Sequence, residues 1–364
     1  MAKVVNNKVD EITQPQKKIK VSAPAAGVHV DFDNDLRARE RAIWMIKGTF
    51  QGHIEEQLNL ERASAPLIIK SGQGVNDDLN GIEKKATFKI KNMGNMPCEI
   101  PQSLAKWKRI ALKKYGMQPG EGIWVNMNAI RPDEDVDAWH SIYVDQYDWE
   151  RVLSASDRNV EFLKGIVRKI YAALKATESA VHEAYPQIEK LLPEEITFIH
   201  TTELEEKYPD LTPKERERAA SKEYGACFVI GIGAPLKNGV PHDGRAPDYD
   251  DWSTPTPLGP GLNGDILVWN PILQREFELS SMGIRVNKDS LQAQLAQRNC
   301  LERAQLLYHQ GVLNDEWPLT IGGGIGQARL CMYFLRRSHV GETQSSVWAP
   351  TILDELKTKG VKLL

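Results

Sequence analysis

Apolar and polar positions along the chain repeat in distinct ways, and each repeat predicts a different element. From Asn34, a suitable N-cap, the apolar residues Leu36, Ile43, Ile46, Phe50, Ile54 and Leu58 recur near one face and predict an opening helix. A long helix is predicted over 155–185, with Leu163, Ile166, Val167, Ile170 and Leu174 on one side and no chemistry on it. Ser103 caps a shorter predicted helix in which Leu104, Trp107 and Ala111 point inward and Lys108 falls at the border of that face. Over 141–150 the alternation is strict: Ile142, Val144, Gln146, Asp148 and Glu150 share one face of a strand, and Ser141, Tyr143, Asp145, Tyr147 and Trp149 share the other. Apolar runs at 196–200 and 226–233 predict buried strands, and 265–271 with 277–285 predict two more joined by a turn at Asn270–Pro271.

Several polar residues break these patterns where a site would need them. Gln146 and Asp148 continue a face that begins apolar, so they would stand in a cavity wall, where a carboxylate needs a partner or a ligand. Just upstream, Arg131 precedes the acids Asp133, Glu134 and Asp135, and its planar fork of donors suits phosphate or carboxylate. Near the C-terminus Gly322, Gly323, Gly324 and Gly326 read as a glycine-rich turn, followed by Arg329 on a helix. That turn lacks the Gly-Lys-Ser/Thr of a phosphate-binding Walker loop and the downstream acid of a dinucleotide fingerprint. The stretch 72–81 is rich in turn formers and predicts a loop carrying Asp77. Asp248, Asp250 and Asp251 crowd an irregular segment beside Tyr249 and Trp252. On the paired strands, Asp265 and Glu278 are placed to be neighbours, with Glu278 and Ser280 on one face, and two carboxylates facing a phosphate suit Mg²⁺.

Composition narrows the class. The chain has 364 residues, 41% of them apolar, enough for one large domain or two small ones. A formal net charge of -3 leaves no basic footprint for nucleic acid, which argues against a tRNA-charging enzyme. Four scattered cysteines, with no metal-site spacing, fit reduced thiols in a cytoplasmic protein. No apolar run reaches membrane-spanning length and no secretion signal is evident, so no membrane partner is expected. Residues 1–33, including the basic Lys17–Lys20 cluster, read as a mobile extension, and 34–364 as a single catalytic domain.

Two stretches resemble the class II aminoacyl-tRNA synthetases. Arg131-x-x-Glu134 with the following strand is similar to their motif 2, and Gly322-x-Gly324-x-Gly326-x-x-Arg329 to their motif 3. The runs 103–109, 131–135, 245–254, 262–271, 278–285 and 322–329 are more specifically similar to ammonia-dependent asparagine synthetases, the aspartate–ammonia ligase family, over about residue 35 to the C-terminus. That resemblance implies an α+β fold: a class II synthetase-like core with a mainly antiparallel sheet flanked by helices. It implies L-asparagine formation from L-aspartate, ammonia and ATP through β-aspartyl-AMP, releasing AMP and pyrophosphate. The roles it implies are catalytic for Arg131, Asp77 and Arg329, and ATP binding for Arg131, Glu134, Ser280, Ser281, Gly324 and Arg329. Aspartate and ammonia fall to Asp77, Ser103, Lys108, Gln146, Asp148 and Asp250, with Lys108 on the α-carboxylate, and Mg²⁺ to Asp265 and Glu278. Pro66 matches the motif 1 proline and implies a homodimer, and Val144 stands where many synthetases place an aromatic on adenine. The alternative is a trimmed class II tRNA synthetase relative that adenylates aspartate without an anticodon-binding domain. A synthetase-like regulator would have lost motif residues, whereas Arg131, Glu134, Asp265, Glu278 and Arg329 all remain.

Overall fold

The structure, a computed structural model, describes residues 30–77 and 83–364. Residues 1–29 of the expected extension, and the end of the 72–81 loop, lie outside the described residues. Packing begins before residue 34: Phe32 is buried, its ring 5.0 Å from that of Tyr185. Helix α1 (Leu36–Leu58) is capped by Asp35 rather than Asn34, because the Asp35 carboxylate accepts from the Ala38 N–H at 2.9 Å while the Asn34 amide turns back to Asp31. Of its expected apolar face, Leu36 is the member left exposed.

Eight strands form the central sheet: β1 (Leu60–Arg62), β2 (Gly122–Ile130), β3 (Tyr143–Val152), β4 (Thr197–His200), β5 (Ala226–Ile230), β6 (Asn263–Asn270), β7 (Arg275–Ile284) and β8 (Thr320–Gly326). Their spatial order is β1-β2-β3-β8-β7-β6-β5-β4. Only the edge pairs β1–β2 and β4–β5 are parallel, so the centre is antiparallel. Strict alternation turns Trp124, Tyr147, Trp149, Ile266, Phe277 and Ile325 to one face, where they pack with α1 and the long helix α3 (Val160–Ala184) in one core. That helix starts later than the pattern predicted, since Ser154 and Asp157 form a capping box around a short 3₁₀ turn and Asn159 caps the α-helix.

The opposite face is covered only in patches. Helix α2, preceded by Leu104 and spanning Ala105–Tyr115, sits on Ile123, Val125 and Met127 of β2. Helices α4 (Thr201–Lys207) and α5 (Pro213–Tyr224) cover Cys227, Val229 and Leu267. A third patch gathers α6 (Lys288–Gln297) and α7 (Leu307–Leu313) around Leu291, Tyr308 and Val312. Between these patches the middle of the sheet, strands β3, β8 and β7, is left uncovered, and a cavity forms there. The last helix that matters for it, α8 (Gln327–Phe334), begins directly where β8 ends.

Two details of the sheet depart from the sequence reading. The glycine run is a central strand, paired on both sides, and none of its glycines has a positive φ. Between β6 and β7 the register slips: Ile266 faces Ser280 but Leu267 faces Glu278, so Leu279 is an extra residue. The bulge flips the parity, and Glu278 shares its face with Ser281 and Asp265 rather than with Ser280. Gly231 and Gly233 do serve close packing, at φ 83° and 115°, against His200 and against Trp252 with Arg245. All four cysteines are free and buried, and among the described residues no helix is long and apolar enough to cross a membrane.

Candidate active site

The floor of the cavity is a row of residues across three strands, continued outside the cavity on a fourth. Register pairs Asp148 of β3 with Gly324 of β8, Gly324 with Ser281 of β7, and Ser281 with Asp265 of β6. The glycines keep that floor low. A Cβ on Gly324 would collide with the Gln146 amide, one on Gly322 with the Glu150 carboxylate, and one on Gly323, beneath the sheet, with Met282 Cβ at 2.5 Å. The resulting space is about 500 Å³, within the range of small-molecule sites, and Arg131, Asp77, Gln146, Asp148, Ser281 and Arg329 all face it.

One wall and the layer under the floor are a chain of buried charges that alternate in sign. Lys108, fully buried, bonds to Asp148, to the Trp149 carbonyl at 2.8 Å, and lies 3.6 Å from Glu150. Arg285 clasps both Glu150 oxygens, at 3.0 and 2.9 Å, and turns its other nitrogen to Asp250. Arg245 lies 3.6 Å from Asp250 and bonds to Asp265. The order is therefore Asp148, Lys108, Glu150, Arg285, Asp250, Arg245, Asp265, with a cation between each pair of acids. Burial opposes the charge of Glu150, but Arg285 and Lys108 outweigh it and hold this carboxyl below the ordinary range. At the two ends burial wins: it pushes Asp148 up against Lys108, and it pushes Asp265 up to about 7 against Arg245, with Glu278 adding to the push. Asp148 also accepts from the Leu104 N–H at 3.3 Å, so the start of α2 steadies it as well.

The two arginines expected to grip a nucleotide come from widely separated parts of the chain into this one space. Arg131 follows β2 directly; its N–H bonds to the Ile142 carbonyl at 2.8 Å, which closes the connection that carries Trp139 and His140. Its guanidinium lies 3.6 Å from Glu134 and donates to the Gln102 carbonyl at 3.4 Å, while its buried Nε has no partner among the described residues. Arg329 sits in the first turn of α8, and donates to the Glu278 carbonyl at 3.1 Å and the Trp139 carbonyl at 3.4 Å. Asp145 aims that turn: it accepts from the Ala328 N–H at 3.1 Å and from Gln344 at 3.0 Å, and Lys47 bonds to it at 2.9 Å. Cationic forks with donors to spare, over a flat glycine floor, are suited to a phosphate-bearing ligand.

Most of the residues singled out in sequence line this space: Asp77, Ser103, Arg131, Glu134, Gln146, Asp148, Asp250, Glu278, Ser281, Gly324 and Arg329. Three do not. Ser280 faces the core beside Ile266, because of the bulge at Leu279. Lys108 lies under Asp148, sealed from the cavity, because α2 presses its side chain against β3. Asp265 stands behind Arg245. Ser103 reaches the wall but is not the N-cap of α2; that place is held by Leu104, and the Ser103 hydroxyl accepts from the Ala105 N–H at 3.1 Å. The sequence reading assigned no role to Arg245, Arg285 or Glu150. Glu150 had a legible signal, since it continues the face of Gln146 and Asp148, and both arginines lie inside the family-like runs.

Sheet, glycine floor and paired arginines together define the class II aminoacyl-tRNA synthetase fold. Solved structures agree: asparaginyl-tRNA synthetase from Entamoeba histolytica in complex with asparaginyl-adenylate superimposes with a TM-score of 0.61 at 15% identity, over 85% of this chain and 66% of that one. The Pyrococcus horikoshii enzyme complexed with asparaginyl-adenylate gives 0.61 at 14% identity, over 86% and 73%. This chain thus spans between about two-thirds and three-quarters of these two synthetases. Within that class, the family model for aspartate–ammonia ligase matches residues 37–360. The aspartate–ammonia ligases of Parabacteroides distasonis and Bacteroides fragilis are 53% and 52% identical over 331 residues, 91% of this chain and 96% of each relative. The chain belongs to the aspartate–ammonia ligase family.

Proposed function

We propose that this cavity makes L-asparagine from L-aspartate and ammonia by adenylating the side-chain carboxylate with ATP. The observation that carries the reading is convergence: Arg131 and Arg329 face one space, whose far wall is acidic at Asp148 and Asp250. A carboxylate is a poor acyl donor until its oxygen is made a leaving group, and AMP is a far better one than oxide. Attack of the β-carboxylate oxygen on the α-phosphorus expels pyrophosphate and leaves β-aspartyl-AMP; ammonia then attacks the carbonyl carbon, loses a proton and expels AMP. Arg131 stabilises charge on the α-phosphate and the carboxylate being activated, and Arg329 stacks on adenine or holds the outer phosphates. The aspartate α-ammonium meets Asp148 and Gln146, while Arg245, which reaches the cavity, is the cation for the α-carboxylate. Lys108 acts one step removed, by holding Asp148.

Of the two expected Mg²⁺ ligands, Glu278 faces the cavity, whereas Asp265 is bonded to Arg245 and would have to exchange that partner for the ion. Asp265 and Glu278 share one face of β6 and β7, and the Asp265 carboxyl is pushed up by burial against Arg245, with Glu278 adding to the push. Two carboxylates suffice, since Mg²⁺ takes its remaining oxygens from phosphate and water. Bound there, the ion would neutralise charge on the departing pyrophosphate. A homodimer is supported by the segment after Pro66, where Leu67 and Ile68 are 54% and 47% exposed, and a cytoplasmic setting by four free thiols.

The test is a product assay with ATP, Mg²⁺, aspartate and ammonium. Asparagine accompanied by equimolar AMP is the expected result; asparagine accompanied by ADP would place activation at the γ-phosphate and overturn the reading.

A further inference from the structure

Gln102 is fully buried, yet it faces the cavity between Asp77 and Arg131. Its backbone N–H donates to Asn76 Oδ1 at 2.8 Å, its carbonyl accepts from Arg131 at 3.4 Å, and its side-chain Nε2 donates to the Lys84 carbonyl at 3.1 Å. Its Oε1 has no partner among the described residues. An acceptor buried without a donor costs about 1–3 kcal/mol, so a residue locked at its three other polar groups presents Oε1 at a standing cost unless a ligand supplies the donor.

The surroundings say which donor. Asn76 Oδ1 also takes the Asp77 N–H, at 2.9 Å, so Asp77 and Gln102 hang from one oxygen. Asn76 is itself fixed: its amide donates to the Ile100 carbonyl at 3.3 Å, and its own carbonyl accepts from Lys106 at 3.1 Å. Lys106 is pinned in turn by Asp248 at 2.7 Å, which also takes His309 at 2.9 Å. Burial opposes the charge of Asp248, but Lys106 and His309 outweigh it and keep this acid ionised. The Gln102 amide oxygen shares its cavity wall with the carboxylates of Asp77 and Glu83, and the neighbouring cation, Arg131, turns its guanidinium to the Gln102 backbone carbonyl and to Glu134. Ammonium is a small cation with four donors and no acceptor, and an amide oxygen adds an acceptor without adding a like charge to Asp77.

We propose that Gln102 Oε1, beside Asp77, receives the ammonium ion at its entry to the cavity, and that Asn76, Lys106, Asp248 and His309 are the positioning residues that hold this corner. The inference rests on the ligase reading above. It assigns the nitrogen substrate to the wall formed by Gln102, Asp77 and Glu83, apart from the Asp148 side where the amino acid binds.

Two variants separate acceptance from scaffolding. Both Gln102→Met and Gln102→Glu remove the bond to Lys84, but only Gln102→Met also removes the acceptor; Gln102→Glu keeps an oxygen in place, as a carboxylate. The expected result is an ammonium KM raised about ten-fold or more in Gln102→Met, the loss typical of one hydrogen bond to a charged group. Gln102→Glu should return it to within about three-fold of wild type, as an acceptor role requires. Equal impairment of both variants would make Gln102 a staple for the loop, and a rise in aspartate KM instead would move its contact to the α-ammonium; either result overturns the assignment. A flat response beside an active wild type overturns it alone, whereas a wild type that forms no asparagine from ammonium overturns the ligase reading with it.

Discussion

Arg329 and Lys108 show how differently two cations near one cavity are used. Arg329 is held by carbonyls at 3.1 and 3.4 Å and faces open space, so it has donors left for a ligand. Arg329→Ala should lower turnover by about two decades or more, about 3 kcal/mol of barrier, with unfolding unchanged. Near-normal turnover would remove it from the nucleotide site. Lys108 has no such freedom, sealed between Asp148 and Glu150. Lys108→Met should lower unfolding free energy by about 3–5 kcal/mol in a denaturant titration, because it leaves two buried carboxylates short of a partner. A variant of unchanged stability that needs more aspartate would return Lys108 to direct substrate contact.

At the level of elements, β8 is the part whose chemistry lies in absent side chains. Gly324 has an ordinary extended backbone, so Gly324→Ala would introduce no torsional strain; its methyl group would meet the Gln146 amide at the cavity floor. Turnover in that variant should fall roughly ten-fold or more, the kinetic equivalent of an overpacking cost of about 1–3 kcal/mol, while circular dichroism stays that of wild type. Unimpaired turnover would mean that the floor is not where the ligand lies. These elements also show what could be read from the chain. Period-two alternation in β3 was enough to place Gln146 and Asp148 in the wall, since parity is a local property. The glycine run read as a turn because glycine marks turns locally; its pairing on both sides depends on β3 and β7, far away in sequence. One bulge residue, Leu279, exchanged Ser280 for Ser281, and no local signal marks it. Lys108 looked like a border residue because the acids that bury it stand 40 and more positions away.

Over the whole molecule, a net charge of -3 hides a strongly charged interior, in which acids and arginines are arranged in series across the sheet. That arrangement has a pH signature. Glu150, held below its ordinary 4.5 by Arg285 and Lys108 against burial, and Asp248, held below 3.8 by Lys106 and His309 against burial, each stabilise the fold above those values. The contribution is lost as pH falls and the carboxyls protonate. Asp265 has the opposite sign: raised by burial, it costs stability as pH climbs from 3.8 towards about 7. Melting temperature should therefore rise from neutrality towards about pH 4.5, as Asp265 and the likewise raised Asp148 take up protons, and fall below it as Glu150 and Asp248 protonate; a flat profile from neutrality down to about pH 3 would contradict the network.

The central claim is that cations from widely separated parts of the chain meet over one glycine floor to adenylate the distal carboxylate of aspartate. The direct measurement uses aspartate carrying ¹⁸O in its β-carboxylate, with mass analysis of the released nucleotide. One labelled oxygen should appear in the phosphate of AMP for each asparagine formed. Label in pyrophosphate or orthophosphate, with unlabelled AMP, would contradict the account.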